Sequence, residues 1–575
     1  MKRILSAILI LFSVFFAFSQ TISDTQILKT DHWLYDCLDK LCKEQKIAVF
    51  NENSMLSAGE IKFYFSKINY ETLSEAGRKN YDKINAFLYQ KTNFIQKIND
   101  ITQKELMDAS VFRLDFNILA NPELYFKSNE NIPWSFRYYY HDNFLTMPLQ
   151  FAFADYITIE ADPFVGKSHY GAALNDSFCN IPFNNDQTEF MFIKHAYGSA
   201  GYYSDKWGAN LTVGKQGLEL GNTKLPSIIY SQNFETDGYL QLNLFTNSFK
   251  YSMDIVQVDY QKFLYLHQID LILFKKIKFS LIEGSQAVDS LQLRFLNPFM
   301  FMHQMSAWND YSPDGSPYGE QRFCAYFCWL LELNLIKNTR LYVLYAQNEI
   351  QPPWEKSDGR EVGNLYPNSF GIQLGADISI PYHTNGYWNI SFEGVYTSPY
   401  LYVKHTPQAS LYRSRKDNLS GEYVKSWIGS PYGPDSIGVQ LGFEYENIEK
   451  WKAGFAYLYT MKGEHDFLMF EQKSKSKNSD YGTDDYYSYY PAVAYKLDDE
   501  QHSGYDDMLD DATNLLPSGI IEFTNQIVLN GTYKINKHFE LNAQGIYTFI
   551  FNAGHIKNNK ANGIELSVSM TYNVF

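Results

Sequence analysis

Apolar and polar residues alternate through residues 437–459, interrupted only by a short break at 448–450. A period of two predicts two β-strands. If Asn447 pairs with Trp451 across a three-residue turn, Glu446 falls opposite Lys452 and the apolar residues at odd positions of both strands share one face. The pattern therefore predicts a β-hairpin with one aromatic face and one polar or small face.

The same alternation recurs along most of the chain beyond residue 108. Its clearest repeats are residues 112–118, 249–255, 370–378, 388–396 and 564–572. Runs of about ten alternating residues are typical of tilted strands that cross a membrane. We therefore predict a mainly β protein, a transmembrane antiparallel β-barrel over residues 109–575. We count 16 to 20 strands and expect about 18, because single-chain bacterial barrels have even numbers.

Residues 20–108 follow a helical period instead. One face of a first helix carries Leu34, Cys37, Leu38 and Leu41. Ser57 and Glu60 have the spacing of a capping box that opens a second helix, and a third starts near Ser74. We expect a small N-terminal helical bundle that lies on the periplasmic side of the barrel or plugs its mouth.

Residues 1–19 have the features of a signal peptide: Lys2 and Arg3, an apolar run, and small residues before Gln20. The rest of the chain has no uncharged apolar run of about 18 residues that would predict a membrane-spanning helix. Aromatic residues nevertheless make up 17% of the chain, which favours a barrel with aromatic girdles. We therefore predict a location in the outer membrane of a diderm bacterium, in contact with its lipid.

The charge and the missing motifs exclude several function classes. A net charge of −15 argues against nucleic-acid binding. The five cysteines suggest no disulfide framework, and no spacing predicts a metal site or cofactor. There is no Gly-x-Ser-x-Gly elbow, and His195, His267 and His303 read most simply as hydrogen-bonded lumen residues. We expect no enzyme, although a serine facing one of these histidines across the barrel stays open.

Two short segments resemble the Wzi capsule-assembly family of outer-membrane proteins. Residues 209–216 end in Gly-Lys-Gln and are followed by Leu220 and Gly221, and residues 294–298 read Arg-Phe-Leu-Asn-Pro. The family commonly has a tryptophan where this chain has Leu220. The order of helices, glycine strand, Asn-Pro segment and barrel end adds to the resemblance, which implies 18 strands and a non-enzymatic, glycan-binding role with surface polysaccharide as partner.

Sugar binding uses aromatic rings together with carboxylates and amides. Candidate residues on the outer loops are Trp308, Asn309, Asp310, Tyr311 and Trp354. Each of these aromatic side chains also fits an interfacial girdle. The Asp-rich segment 464–515 matches no calcium-binding spacing and reads as a solvated loop. We expect a monomer, and the alternative function is a porin-like channel for small solutes.

Overall fold

The structure is a computed structural model that describes residues 22–51, 55–89, 112–132, 143–166, 177–182, 195–231, 237–298, 323–350, 368–404, 408–416, 423–467 and 515–574. The predicted signal peptide, residues 1–19, lies outside these ranges. Within them, no helix is long and apolar enough to cross a membrane. All five cysteines are free.

Residues 22–89, called here the helical domain, contain three α-helices: α1 (Trp33–Gln45), α2 (Ala58–Phe65) and α3 (Glu75–Tyr89). The predicted apolar face of α1 is buried in the core of this domain. Ser57 is the N-cap of α2, and its Oγ accepts a hydrogen bond from the backbone N–H of Glu60 at 3.2 Å. Burial of one helical face and satisfaction of the free N–H groups explain why these segments are helical.

The remainder is mainly β-sheet. Its strands are β1 (Phe112–Phe116), β2 (Leu119–Ala120), β3 (Glu123–Lys127), β4 (Leu145–Thr146), β5 (Leu149–Phe153), β6 (Ile157–Ala161), β7 (Phe164–Val165), β8 (Phe178–Cys179), β9 (Ala196–Tyr203), β10 (Trp207–Gln216), β11 (Asp237–Thr246), β12 (Phe249–Asp259), β13 (Lys262–Leu273), β14 (Ile277–Ala287), β15 (Phe323–Leu333), β16 (Thr339–Glu349), β17 (Ser369–Tyr382), β18 (Gly386–Thr397), β19 (Tyr412–Lys416), β20 (Tyr423–Trp427), β21 (Ser436–Asn447), β22 (Trp451–Lys462), β23 (Glu522–Lys534), β24 (Phe539–Phe551) and β25 (Lys560–Asn573).

The strands form one large antiparallel sheet in which sequence neighbours pair from β9 to β18 and from β21 to β25. β19 and β20 form a separate hairpin. The last strand, β25, pairs with β2 and β3 near the start of the sheet, as expected for a barrel. The predicted register of the β21–β22 hairpin is confirmed, since Asn447 pairs with Trp451 and Glu446 with Lys452.

The sheet is polar inside and apolar outside. On β17, Gln373 and Asp377 are at most 1% exposed, whereas Leu374 and Ile380 are 46% and 43% exposed. The same division holds on other strands, where Leu529 and Val568 face outward. An apolar face that stays exposed while polar residues are buried is the pattern of a barrel surrounded by lipid.

The two ends of the barrel differ. At the short-turn end, connections of two to five residues join the strands, as at 274–276, 334–338 and 448–450. At the long-loop end the connections are longer, apart from the two-residue turn at 260–261. The helical domain sits at the short-turn end: the Ala48 N–H donates to Lys275 O at 2.8 Å, and the Asn338 N–H to Lys43 O at 2.8 Å.

Replacing an outward-facing leucine by arginine tests the lipid face. Leu529→Arg, midway along β23, should lower the free energy of unfolding by about 2–4 kcal/mol, because a charge is placed in the hydrocarbon region. Ile535→Arg, in the β23–β24 turn, is the matched control and should cost about 0–1 kcal/mol. Denaturant unfolding in phospholipid vesicles measures both. Equal costs at the two positions would contradict a lipid-facing sheet.

Candidate functional site

The lumen of the barrel is occupied by other parts of the chain, and buried ion pairs hold the helical domain there. The ammonium of Lys250, on β12, lies 2.6 Å from the carboxylate of Glu60 on α2, and both side chains are at most 1% exposed. Lys40 of α1 pairs with Glu446 of β21. Buried charges of this kind are stable only when paired. The helical domain therefore supplies partners that the inner wall requires.

Asp377 is the centre of a group of charges that includes three cationic side chains. Its Oδ2 lies 2.9 Å from Lys43 Nζ of α1, 3.1 Å from Lys224 Nζ and 3.7 Å from Arg340 Nη2 of β16. Arg340 is also 3.5 Å from Glu332 on β15. One wall carboxylate thus joins the helical domain, the barrel and the segment that carries Lys224.

That segment, residues 217–231, follows β10 and folds into the lumen instead of returning directly to the sheet. The backbone N–H groups of Lys224 and Leu225 each donate to Glu393 of β18 at 2.8 Å. The Ile228 N–H donates to Gln373 Oε1 at 2.9 Å. Wall side chains therefore satisfy the irregular backbone, as a loop at membrane depth requires.

An apolar core anchors the same segment. Its buried members include Leu225, Ile228, Tyr326, Tyr402 and Trp427. Gly221 has a φ of +114°, and a Cβ there would lie 2.7 Å from Leu344 Cδ2, so only glycine fits. The Leu220–Gly221 pair noted in the sequence therefore marks the place where the chain enters the lumen.

A cavity of about 570 Å³ remains between the helical domain, segment 217–231 and the wall formed by β21 to β24. Its lining is charged and aromatic and includes His32, Trp33, Glu219, Glu444, Trp451 and Lys534. Burial raises the pKa of Glu219 to about 7, with a further contribution from the charge of Glu393. Such a cavity suits water or a polar, hydroxylated ligand better than an apolar one.

His32 caps α1 at the edge of this cavity. Its Nδ1 accepts the Leu34 N–H at 3.3 Å, which requires a neutral imidazole with its proton on Nε2. Burial lowers the pKa of His32 to about 4, and the charge of Lys83 acts in the same direction, whereas Asp31 opposes it. The cap is therefore intact at neutral pH.

At the long-loop end, Asp435, His465 and Ser518 form a buried cluster. Asp435 Oδ2 and Ser518 Oγ both contact His465 Nδ1, at 2.8 and 2.5 Å. A hydrolytic triad needs the acid and the serine on opposite ring nitrogens. Burial alone would raise the pKa of Asp435, but the hydrogen bond and charge of His465 hold it at about 2. This arrangement holds two connections together, the one between β18 and β21 and the one between β22 and β23, and gives no support to hydrolysis.

The predicted glycan-binding residues, Trp308, Asn309, Asp310, Tyr311 and Trp354, lie outside the described residues, as do residues 468–514 of the acidic segment. Those predictions stay untested. The structure instead brings together Glu160, Asp162 and His195. The sequence did not connect them, because His195 is 35 positions from Glu160. Only the position of His195 beside a predicted strand was visible in advance.

The chain matches no protein-family model and no curated protein sequence. Among solved structures it is similar to Wzi of Escherichia coli, an outer-membrane protein involved in group 1 capsule assembly and a carbohydrate-binding β-barrel. The TM-score is 0.54 and the identity 11%, over 94% of this chain and 98% of Wzi. This likeness shows a shared fold, so the predicted resemblance and the outer-membrane barrel architecture are confirmed at that level.

Two further similarities have TM-scores below 0.5. OmpT of Vibrio cholerae has a TM-score of 0.32 and 9% identity, over 82% of this chain and 100% of that one. OprD of Pseudomonas aeruginosa has a TM-score of 0.36 and 8% identity, over 80% and 96%.

Removing one charge of the Glu60–Lys250 pair should loosen the helical domain. Lys250→Met leaves a buried carboxylate without its ammonium and should lower the opening free energy of α2 by about 3–5 kcal/mol. Lys62→Met is the matched control, because Lys62 pairs with Asp24 where both side chains are partly exposed, and should cost less than about 1 kcal/mol. Hydrogen exchange of α2 amides measures both, and equal effects would contradict the docking described here.

Acid should weaken α1 through His32. The unfolded imidazole binds a proton near its usual pKa and the folded one near 4, so His32 destabilises the folded state progressively as pH falls from about 6.5 to 4. His32→Asn keeps a capping side chain and removes this titration. Hydrogen exchange of α1 amides, corrected for intrinsic rates, should show a shallower pH dependence in the variant; identical profiles would refute the assignment. His383→Asn, in an exposed turn, is the control.

Proposed function

We propose that the protein is a closed barrel of 18 strands in the outer membrane that helps to assemble or retain surface polysaccharide by binding glycan, as a monomer and without catalysis. The long-loop end faces the outside and the short-turn end, with residues 20–108, faces the periplasm. This orientation follows the rule that bacterial barrels have short periplasmic turns and longer outer loops.

The continuity of the strand register supports the proposed number of 18 strands. Phe112 of β1 pairs with Phe153 of β5, and Leu119 of β2 pairs with Thr146 of β4. The two pairings share one register, so β1 and β2 belong to a single strand, which continues into β3. β4 with β5 and β6 with β7 are likewise single strands, interrupted at Pro148 and Pro163. When β8 and the β19–β20 hairpin are left out, this grouping gives 18 strands. The last of them, β25, lies beside the first.

The observation that carries the functional proposal is the fold shared with Wzi, a carbohydrate-binding barrel, over 94% of this chain. The occupied lumen supports the same conclusion, since the helical domain and segment 217–231 are both held by buried polar contacts. A porin needs a continuous aqueous path. The polar cavity beside β21 to β24 is the feature that favours this alternative.

We place glycan binding on Trp308, Asn309, Asp310, Tyr311 and Trp354. The first four fall between β14 and β15 and the last between β16 and β17, and these strands are joined at the long-loop end. Aromatic rings stack on the apolar faces of sugar rings, and the amide and carboxylate take hydroxyl groups. The combination suits a polysaccharide at the outer surface.

Complementation of a deletion strain tests the proposal. The deletion should release surface polysaccharide into the medium, and the wild-type gene should restore its retention. Trp308→Ala combined with Trp354→Ala should fail to restore it, while Trp388→Ala, an outward-facing tryptophan of β18, should restore it fully. Heat-dependent mobility on gels checks that each variant forms a barrel. Normal retention in the deletion strain would overturn the proposal.

Recordings in planar bilayers separate the porin alternative. The purified protein should show no steady conductance, because its lumen is occupied. Steady openings together with unchanged polysaccharide would establish the channel instead.

A further inference from the structure

Three metal-ligand side chains meet on the inner wall, where β6 pairs with β9. Ala161 of β6 lies opposite Ala196 of β9, and the Asp162 N–H donates to His195 O at 2.9 Å. Glu160 is the inward-facing residue of β6 next to this point. The backbone ladder therefore fixes Glu160, Asp162 and His195 side by side.

The donor atoms are close enough to share one ion. One ligand atom from each residue lies within 4.8 Å of the others, and all three residues are buried. Glu160 Oε1 and His195 Nε2 are 3.2 Å apart. Two carboxylates and one imidazole are a ligand set that divalent first-row transition ions accept, with water completing the coordination.

Glu160 is oriented by a second layer of contacts. Its Oε2 accepts hydrogen bonds from Gln150 Nε2 at 3.0 Å and from the Tyr197 hydroxyl at 3.0 Å. These contacts leave Oε1 directed at His195. Metal-binding carboxylates are commonly held in this way by neighbouring donors.

Asp162 provides a second, independent indication of a ligand. Its Oδ2 accepts a hydrogen bond from Lys29 Nζ at 2.5 Å, but its Oδ1 has no hydrogen-bond partner although the residue is only 4% exposed. A buried carboxylate oxygen without a partner is rare in proteins and calls for an explanation. A cation at this point would satisfy it.

We propose that Glu160, Asp162 and His195 bind a divalent transition ion such as Zn²⁺, and that the ion competes with the ammonium of Lys29 for Asp162. Both cations neutralise the same carboxylate, so occupancy by one weakens the other. His195 coordinates through the Nε2 lone pair, with its remaining proton on Nδ1, and any proton on Nε2 is released to solvent.

The competition would link the metal to the start of the helical domain. Lys29 belongs to a segment that also contacts the wall through Thr25 and Thr158, whose hydroxyls are 2.8 Å apart, and through the Ile27 N–H, which donates to the Tyr197 hydroxyl at 2.9 Å. Tyr197 contacts both this segment and Glu160. Metal binding therefore acts on residues 25–29 from two sides.

Calorimetric titration of the untagged full-length protein in detergent with Zn²⁺ tests this. We expect one ion per chain, affinity about 10-fold weaker or worse in His195→Ala and Glu160→Gln, and several-fold tighter binding in Lys29→Met. Lys62→Met and His383→Ala, which alter a lysine and a histidine elsewhere, should bind like wild type. Absence of saturable binding, unchanged affinity in His195→Ala, or no gain in Lys29→Met would each overturn the proposal.

X-ray absorption of the wild-type protein loaded with one equivalent of Zn²⁺ decides the matter if a variant fails to fold. The spectrum should show one imidazole and carboxylate oxygens around the metal. A spectrum without imidazole scattering would exclude this site.

Discussion

The structure depends on a reversed polarity: the sheet turns its apolar side chains outward and buries its charged ones. A charged group on the inner wall is stable only beside an opposite charge or a set of hydrogen bonds. Lys250, Asp377 and Glu393 are such groups, and each has at least one partner outside the sheet. The helical domain and segment 217–231 are thus part of what makes this inner wall stable, rather than additions to a finished barrel.

Much of this architecture could be predicted from the sequence, because local patterns carry it. Strict alternation identifies strands, and a single hairpin fixed its own register through Glu446 and Lys452. The helical period and the Ser57–Glu60 spacing identified the helices in the same way. A strand's period also tells which of its two faces is apolar.

The contents of the lumen could not be predicted, since they depend on contacts between residues far apart in sequence. Nothing local indicates that Glu60 pairs with Lys250, or that the backbone at Lys224 bonds to Glu393. The Glu160, Asp162 and His195 group has the same origin, because only the pairing of β6 with β9 joins its two parts. The Leu220–Gly221 pair was noticed as a family-like motif, but its role at the entry to the lumen needed the backbone conformation.

Asp377 has a consequence for how the interior can rearrange. Lys43 of α1 and Lys224 of segment 217–231 share its single carboxylate. Withdrawing either lysine changes the electrostatic potential at the other, so the docking of the helical domain and the docking of segment 217–231 are thermodynamically linked. An event that displaces one of these lysines from Asp377 therefore changes how firmly the other is held.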